Sequence, residues 1–226
     1  RQECLALVIA HCAGEPWRIG ALAFVPAGAG APWVLGRGPA LAADRHRRLV
    51  FGHQRFGGLE DEAPLSVPTI SRTQLAIGAQ TGRLHVDNLG RARLLHNDVS
   101  VQRAEVFPGD TLQLGRSLLF VCVQRSVHLP RPAEAYRTNT FGEPDAYGIV
   151  GVSPVIWRLR QQLAYLAPQL GHVLLLGASG SGKELAARAI HNLSPTAARR
   201  LITRNAATIP EGIADAELFG NARNYP

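Results

Sequence analysis

The sequence predicts a multi-domain chain: an all-β sandwich over residues 1–127, a linker over 128–147, and a partial α/β domain over 148–226. Three observations carry this. Up to residue 127, short apolar segments alternate with turn residues, and no stretch keeps the period of an amphipathic helix. From 128 to 148 the chain reads HLPRPAEAYRTNTFGEPDAYG, with Pro, Gly and polar residues and no sustained period. Beyond it the apolar period turns helical, and an apolar run leads through a glycine-rich turn into a second helix.

In the first domain, strands are expected in RIGALAFV, PWVLG, RLVFG, QLAIGAQTGRLHV, ARLLHN and DTLQLGRSLLFVCV. Hairpin turns are expected at Ala79-Gln80-Thr81-Gly82 and Gly115-Arg116, since glycine accepts the backbone angles of tight turns. Short strands so spaced specify a sandwich. In the second domain, SPVIWRLRQQLAYLAP has Ser153 as N-cap, Pro154 at the first helical position, and Ile156, Leu159, Leu163 and Leu166 on one stripe. VLLL at 173–176 is expected as a short buried strand. KELAARAIHNL is expected as a helix with Leu185, Ala186, Ala189, Ile190 and Leu193 inward and Glu184 one turn ahead of Arg188.

A chain of 226 residues, 46% hydrophobic and 18% charged, can bury one large core or two smaller ones. LLFVCV at 118–123 is too short to span a bilayer, and LALVIA near the start lacks a convincing cleavage site downstream. A cytoplasmic protein without a membrane partner is expected. Cys4, Cys12 and Cys122 form neither an even disulfide framework nor a C-x-x-C pair, so reduced, mostly buried thiols are expected. The absence of Met suggests a piece of a longer protein. The net charge of +7 divides as +4 for residues 1–130 (14 basic, 10 acidic) and +3 for the rest (10 basic, 7 acidic), too little to require nucleic acid. The densest cluster, RHRR at 45–48, reads as a solvated loop.

The glycine-rich turn, GASGSGKE at 177–184, has the spacing of a phosphate-binding loop. Gly177, Gly180 and Gly182 let the backbone, with Ala178, Ser179 and Ser181, turn its N–H groups inward, and the helix that follows adds its positive pole. A triphosphate is the guest that suits it. Lys183, the one lysine among 24 basic residues, would reach the β- and γ-phosphates as a compact point charge. Glu184 stands where most such loops place the Ser or Thr that touches magnesium, so the metal site is incomplete. A glycine-rich turn without a ligand is the plainer alternative.

GIVGVSPVIWRLRQQLAYLAP, VLLLGASGSGKELAARAIHNLS and RNAATIPEGIADAELFG together resemble the start of the AAA+ domain of sigma-54-dependent transcription activators, whose loop ends in Gly-Lys-Glu. The resemblance runs from about 148 to 220 and implies a P-loop ATPase. It implies that Ile149 and Val150 pack near the adenine, and that Asn205 senses the γ-phosphate and restrains the catalytic glutamate. The family's magnesium-binding acidic motif, second sensor and arginine fingers come later in the domain, so this chain is expected to bind nucleotide without hydrolysing it. Where the family runs from Glu-Leu-Phe-Gly into the GAFTGA loop that touches sigma-54, this chain has Asn224, Tyr225 and Pro226. Contact with sigma-54 polymerase through that loop is therefore not expected.

The first domain resembles a forkhead-associated (FHA) domain, a β-sandwich that reads phosphothreonine. LGRG (35–38) matches its Gly-Arg strand end, ISRTQL (70–75) its Ser-Arg-x-His-Leu segment, and NLGRARLLHND (88–98) with VFPGDTLQLG (106–115) its later turn and Gly-Asp strand. The resemblance implies that Arg37 and Ser71 contact the phosphate with Arg72 beside them, a set that suits a dianion. Two positions depart: the family's buttressing His is Gln74, and its Asn-Gly is replaced by Arg93-Leu94.

The resulting expectation is a bacterial transcription regulator, an FHA sensor of a phosphothreonine-containing protein joined to an AAA+ ATPase, assembled as a homo-oligomeric ring in the parent protein. DNA would be reached only through a further C-terminal domain. The alternative is a phosphopeptide-binding scaffold with a degenerate or vestigial ATPase part.

Overall fold

The structure, a computed structural model, describes residues 3–28, 30–39, 47–55, 58–129, 142–169 and 171–220. Residues 45 and 46 of the RHRR cluster, most of the linker segment and residues 221–226 lie outside them.

Among the described residues, thirteen strands build two sheets. The larger follows the order β10(Val99–Val101), β9(Leu94–His96), β12(Thr111–Leu114), β13(Leu118–Ser126), β1(Glu3–Cys12), β2(Leu22–Val25), β5(Phe51–Arg55), β6(Gly58–Ala63). The smaller follows β11(Arg103–Val106), β8(Arg83–Asn88), β7(Leu75–Gln80), β3(Trp33–Leu35), β4(Arg47–Arg48). All pairs are antiparallel except β3 with β4, where Trp33 faces Arg47 and Val34 faces Arg48. Leu7, Ile9, Leu35, Leu75, Ile77, Leu84, Leu112 and Phe120 fill the space between the sheets. Phe51 and Phe120 stack with ring centroids 5.5 Å apart.

The two expected hairpins form. Thr81-Gly82 joins β7 to β8 with Gly82 at φ 78°, and Gly115 at φ 56° opens the turn between β12 and β13. A third was not read from the sequence: Asn97 and Asp98, at φ 47° and 66°, turn β9 into β10. Both residue types tolerate the left-handed region, as this tight turn requires. β1 was missed as well, although it is central and pairs β13 from Glu3↔Ser126 to Cys12↔Leu118. Its Leu5, Ala6 and Leu7 are all buried, so the apolar/polar alternation that marks a half-buried strand is absent.

Cys12 and Cys122 are buried free thiols and Cys4 is half-buried, as expected. Burial pushes the Cys122 thiol up to about 11.

The second unit is helical: α1(Pro154–Leu166), α2(Lys183–Leu193) and α3(Ala214–Phe219). Ser153 caps α1, accepting the Ile156 N–H, and Pro154 occupies its first turn. Leu163, Ile149, Ala186 and Ala189 form its core, with Ile156, Leu159, Leu175, Leu185 and Ile190 packed on it. The buried strand expected at 173–176 does not form. Leu174 and Leu176 are 80% and 84% exposed, and only Leu175 packs inward. A strand's backbone needs a hydrogen-bonded neighbour, and no described segment pairs with this one. Among the described residues no helix is long and apolar enough to cross a membrane.

The turn before β12 holds a titratable lock. Asp110 accepts from the Phe107 N–H at 2.8 Å, from Asn97 Nδ2 at 2.8 Å, and meets His96 Nε2 at 3.0 Å. The Phe107 N–H first, then Asn97, hold its carboxyl down to about 2. A carboxyl depressed on folding stabilises the fold above its unfolded value near 3.8 and loses that contribution as pH falls through about 2. Carboxyl-carbon NMR titration should therefore find Asp110 still ionised at pH 3, and Asp110→Asn should flatten the acid limb of a stability curve between pH 4 and 2.

Candidate functional site

Two regions carry the side chains singled out in the sequence. The first lies at one end of the sandwich. β3 ends at Leu35, and the next residue must be glycine: a Cβ on Gly36 would stand 1.9 Å from the Arg72 carbonyl oxygen. That contact brings the 36–38 and 70–73 loops together. The Arg37 N–H donates to the Ser71 carbonyl at 3.0 Å and the Gly38 N–H to that of Leu65 at 2.8 Å. Arg37 and Arg72 thus line one cavity of about 510 Å³, with Gly38, Pro39, Pro64, Leu65 and Ser66. Ser71 does not line it; its Oγ accepts the Arg91 N–H at 3.1 Å, which leaves the hydroxyl proton to donate. Arg18, paired with Glu15, holds the Pro64 wall by donating to the carbonyls of Ala63 (3.1 Å) and Pro64 (2.7 Å).

Gln74 stands behind these loops, fully buried. Its Oε1 accepts from the Ser71 N–H at 2.9 Å and the Ala92 N–H at 3.4 Å. Its Nε2 donates to Asn88 Oδ1 at 2.7 Å and to the Ala92 carbonyl at 3.0 Å. Its backbone N–H reaches the Leu35 carbonyl, and its own carbonyl accepts from Leu89 and Gly90. A Cβ on Gly90 would lie 2.3 Å from Gln74 Oε1. The position that departs from the FHA pattern therefore still buttresses the loop, because a carboxamide is donor and acceptor at once. Arg93 and Leu94, the other departure, divide: Leu94 enters the core, and Arg93 Nε donates to Ser100 Oγ at 2.9 Å.

The second region is the glycine loop. Gly180 and Gly182 have φ of 74° and 82°, and Gly177 is packed so closely that a Cβ would stand 2.6 Å from Ser181 Oγ. Gly182 is the N-cap of α2 without a side-chain cap, so the first N–H groups of the helix face outward for an anion. Ser179, Gly180, Gly182, Lys183, Glu184, Leu185 and Arg188 line a cavity of about 390 Å³ there. Lys183 Nζ donates to the carbonyls of Gly177 at 3.0 Å and Ala178 at 2.7 Å. Asn205 lines a neighbouring cavity of about 710 Å³ with Glu184, Arg188 and Thr203, and its Oδ1 accepts the Ala207 N–H at 3.1 Å. Among the described residues no three Asp, Glu, His or Cys side chains converge as a metal site.

Neither Ile149 nor Val150 lines the glycine-loop cavity, although Leu185, which does, packs on the same core as Ile149. Ile149 is buried in the helical core, while Val150 is 52% exposed. The segment is held by an ion pair absent from the sequence reading. Buried Asp145 receives Arg160 Nε at 2.7 Å and the N–H groups of Tyr147 and Ile149 at 2.9 Å. Arg160 also donates to the carbonyls of Gly151 (2.8 Å) and Ile149 (2.9 Å) and lies over the Trp157 ring. A charge set between Ile156 and Leu163 on the apolar stripe was the available signal.

Residues 149–224 match the sigma-54 interaction domain family. The chain combines a two-sheet β-sandwich with a segment that matches this family. Similar proteins include the anaerobic nitric oxide reductase transcription regulator NorR of Aeromonas salmonicida, 35% identical over 118 residues, covering 50% of this chain and 23% of that protein. The formate hydrogenlyase transcriptional activator of Salmonella typhimurium is 42% identical over 85 residues (38% and 12%). The Nif-specific regulatory protein of Azorhizobium caulinodans is 46% identical over 78 residues (34% and 13%). The chain thus spans less than a quarter of these relatives' lengths. Among solved structures, the FHA domain of an Arabidopsis thaliana hypothetical protein is 16% identical, with 58% of this chain and 92% of that chain covered and a TM-score of 0.38. The sigma-54-type segment contains the glycine loop, α1, α2 and Asn205; its last residues, including Asn224 to Pro226, lie outside the described residues.

Replacing Gln74 by Leu leaves the Ser71 N–H and Asn88 without their buried partner. Denaturant melts should show a loss of at least about 1–3 kcal/mol, the usual cost of one unsatisfied buried group. Gln74→His, which keeps one donor and one acceptor, should lose less.

Proposed function

We propose that the protein is a bacterial transcription regulator in which the sandwich (1–127) binds a phosphothreonine-containing partner and the segment from 148 is part of an ATP-binding AAA+ domain of the sigma-54 activator type. The observation that carries the first half is the convergence of Arg37 and Arg72 on one cavity beside the Ser71 backbone. A phosphothreonine dianion offers acceptor oxygens to both guanidinium groups and to the Ser71 hydroxyl, and charge-assisted bonds of this kind are short and strong. The shape of Gly36, Gly90 and Gln74 supports the reading, since those three positions hold the loops in register.

The glycine loop fits a nucleotide's phosphates by its two positive-φ glycines and its uncapped helix start. Bound ATP with Mg2+ would supply the phosphoanhydride and the countercharge. Lys183 would exchange its loop carbonyls for phosphate oxygens, Ser179 and Ser181 with the backbone N–H groups of 178–184 would line the anion, and Asn205 would sit on the γ-phosphate side near Glu184. Ile149 and Val150 are proposed to meet the adenine. In the parent protein the reading extends to a homo-oligomeric ring and to DNA contact through a further domain. Asn224 to Pro226 in place of Gly-Ala-Phe set it apart from loop contact with sigma-54 polymerase.

A second reading, a phosphopeptide scaffold with a vestigial ATPase part, is favoured by one observation: Lys183 spends its charge on its own loop. Calorimetry separates the two. With ATP or ADP the first reading expects weak binding that Lys183→Ala abolishes; no binding to the native chain, or binding indifferent to Lys183→Ala, leaves the scaffold. For the sandwich, a phosphothreonine peptide should bind more tightly than its unphosphorylated twin. Arg37→Ala should erase the difference, a loss of about 1.5–3 kcal/mol or roughly tenfold and more in Kd. A phosphopeptide library without a hit would remove the phosphate-reading assignment.

A further inference from the structure

The phosphate seat has more positive charge beside it than one phosphate neutralises. Arg37 and Arg72 line the cavity. The loop that follows β8 adds Arg91 and Arg93, and its position is fixed: the Arg91 N–H is bonded to Ser71 Oγ, and Ala92 is held through both its N–H and its carbonyl by Gln74. Arg91 is exposed, and among the described residues no carboxylate pairs with it. Arg93 uses only Nε, on Ser100 Oγ, so its terminal nitrogens remain available. Segments 33–39, 64–73 and 88–93 contain no Asp or Glu at all. The neighbouring Asp87 is committed to Arg103 at 2.7 Å. In the strand before Pro64, Glu60 lies 3.6 Å from Arg55.

From this asymmetry we infer that the sandwich selects a phosphothreonine peptide with acidic residues or a second phosphate on one side of the phosphothreonine, and that Arg91, supported by Arg93, reads that flank. The inference rests on the phosphothreonine reading above. A phosphothreonine brings a charge of about −1.5 to −2 and is matched by Arg37 and Arg72, so a neutral flank would leave Arg91 and Arg93 facing nothing of opposite sign. Like charges in the peptide would be repelled there, which makes the loop a filter against basic flanks. An ordered backbone spares such contacts the cost of ordering the loop, leaving only that of the side chains, and their pull weakens as salt rises.

Fluorescence anisotropy with the full chain tests this using phosphothreonine peptides of one length: Ala flanks, two Asp before the phosphothreonine, two Asp after it, and two Lys in each place. One of the Asp peptides should bind roughly five- to tenfold tighter than the Ala-flanked peptide at low salt, an increment of one or two charge-assisted contacts. The gain should shrink in high salt. Arg91→Ala should abolish the ratio between Asp-flanked and Ala-flanked affinities, and Arg91→Glu should invert the preference toward a Lys-flanked peptide, a result that misfolding would not give. If the Ala-flanked phosphopeptide binds and neither Asp peptide gains, the flank inference is overturned while phosphothreonine reading stands. If no phosphopeptide binds, that reading falls and this one with it. Displacement of the phosphopeptide by a random single-stranded oligonucleotide at equal concentration would also overturn it, marking the patch as a general polyanion surface.

Discussion

A single carboxamide sets the geometry of the sandwich's loop end. Gln74 is sealed from water, so both ends of its amide must find protein partners or cost the fold dearly. They are found only when the Ser71 and Ala92 backbones and the Asn88 side chain converge on it. Gly36 and Gly90 permit the convergence, since a Cβ at either would overlap Arg72 or Gln74 itself. The placement of Arg37, Ser71, Arg72 and Arg91 is thus a consequence of satisfying one buried side chain. The surface arginines inherit an order that long, flexible side chains on free loops would lack.

The helical unit uses a buried charge for the same purpose. Asp145 and Arg160 are almost wholly enclosed, and between them they bind the backbone of Tyr147, Ile149 and Gly151. A pair of this kind adds little net stability over an apolar substitute, yet removing one partner strands the other at a cost of about 3–5 kcal/mol. Its effect is positional. It fastens the 145–151 segment to the flank of α1, with Ile149 inside the core and Val150 outside.

The parts that sequence made legible are those governed by local rules. Ser153 and Pro154 announced α1, and the apolar spacing of Leu185, Ala186, Ala189 and Ile190 announced α2. Gly82 and Gly115 marked two hairpins through the backbone angles only glycine adopts easily. The parts that stayed hidden depend on partners distant in the chain. β1 lost its alternation because both of its faces are covered. Gln74 reads as a departure from the FHA pattern until its amide is seen between Ser71, Asn88 and Ala92. Arg160 reads as an interruption of an apolar stripe until Asp145 is seen beneath it. The 173–176 run failed in the opposite sense: strand-like residues predicted a strand, but pairing is a tertiary property and no described segment supplies it.

That failure separates the two sites physically. The sandwich loops that carry Arg37, Ser71 and Arg72 are held from behind by the Gln74 amide and a full core, so their backbone geometry is set by the fold itself. The glycine loop is clamped on one side only. α2 anchors its end, whereas the residues leading into it, from Val173 to Leu176, have no strand partner among the described residues and carry Leu174 and Leu176 in the open. In an α/β domain the strand before such a loop aims it, because the parallel sheet fixes where the strand ends and therefore where the turn begins. Lys183 answers its charge on the carbonyls of Gly177 and Ala178, which ties the start of α2 to the start of the loop. Pre-organisation therefore runs in one direction through the molecule. The sandwich holds its arginine-bearing loops on a buried amide and a full core, whereas the glycine loop is anchored among the described residues by α2 alone.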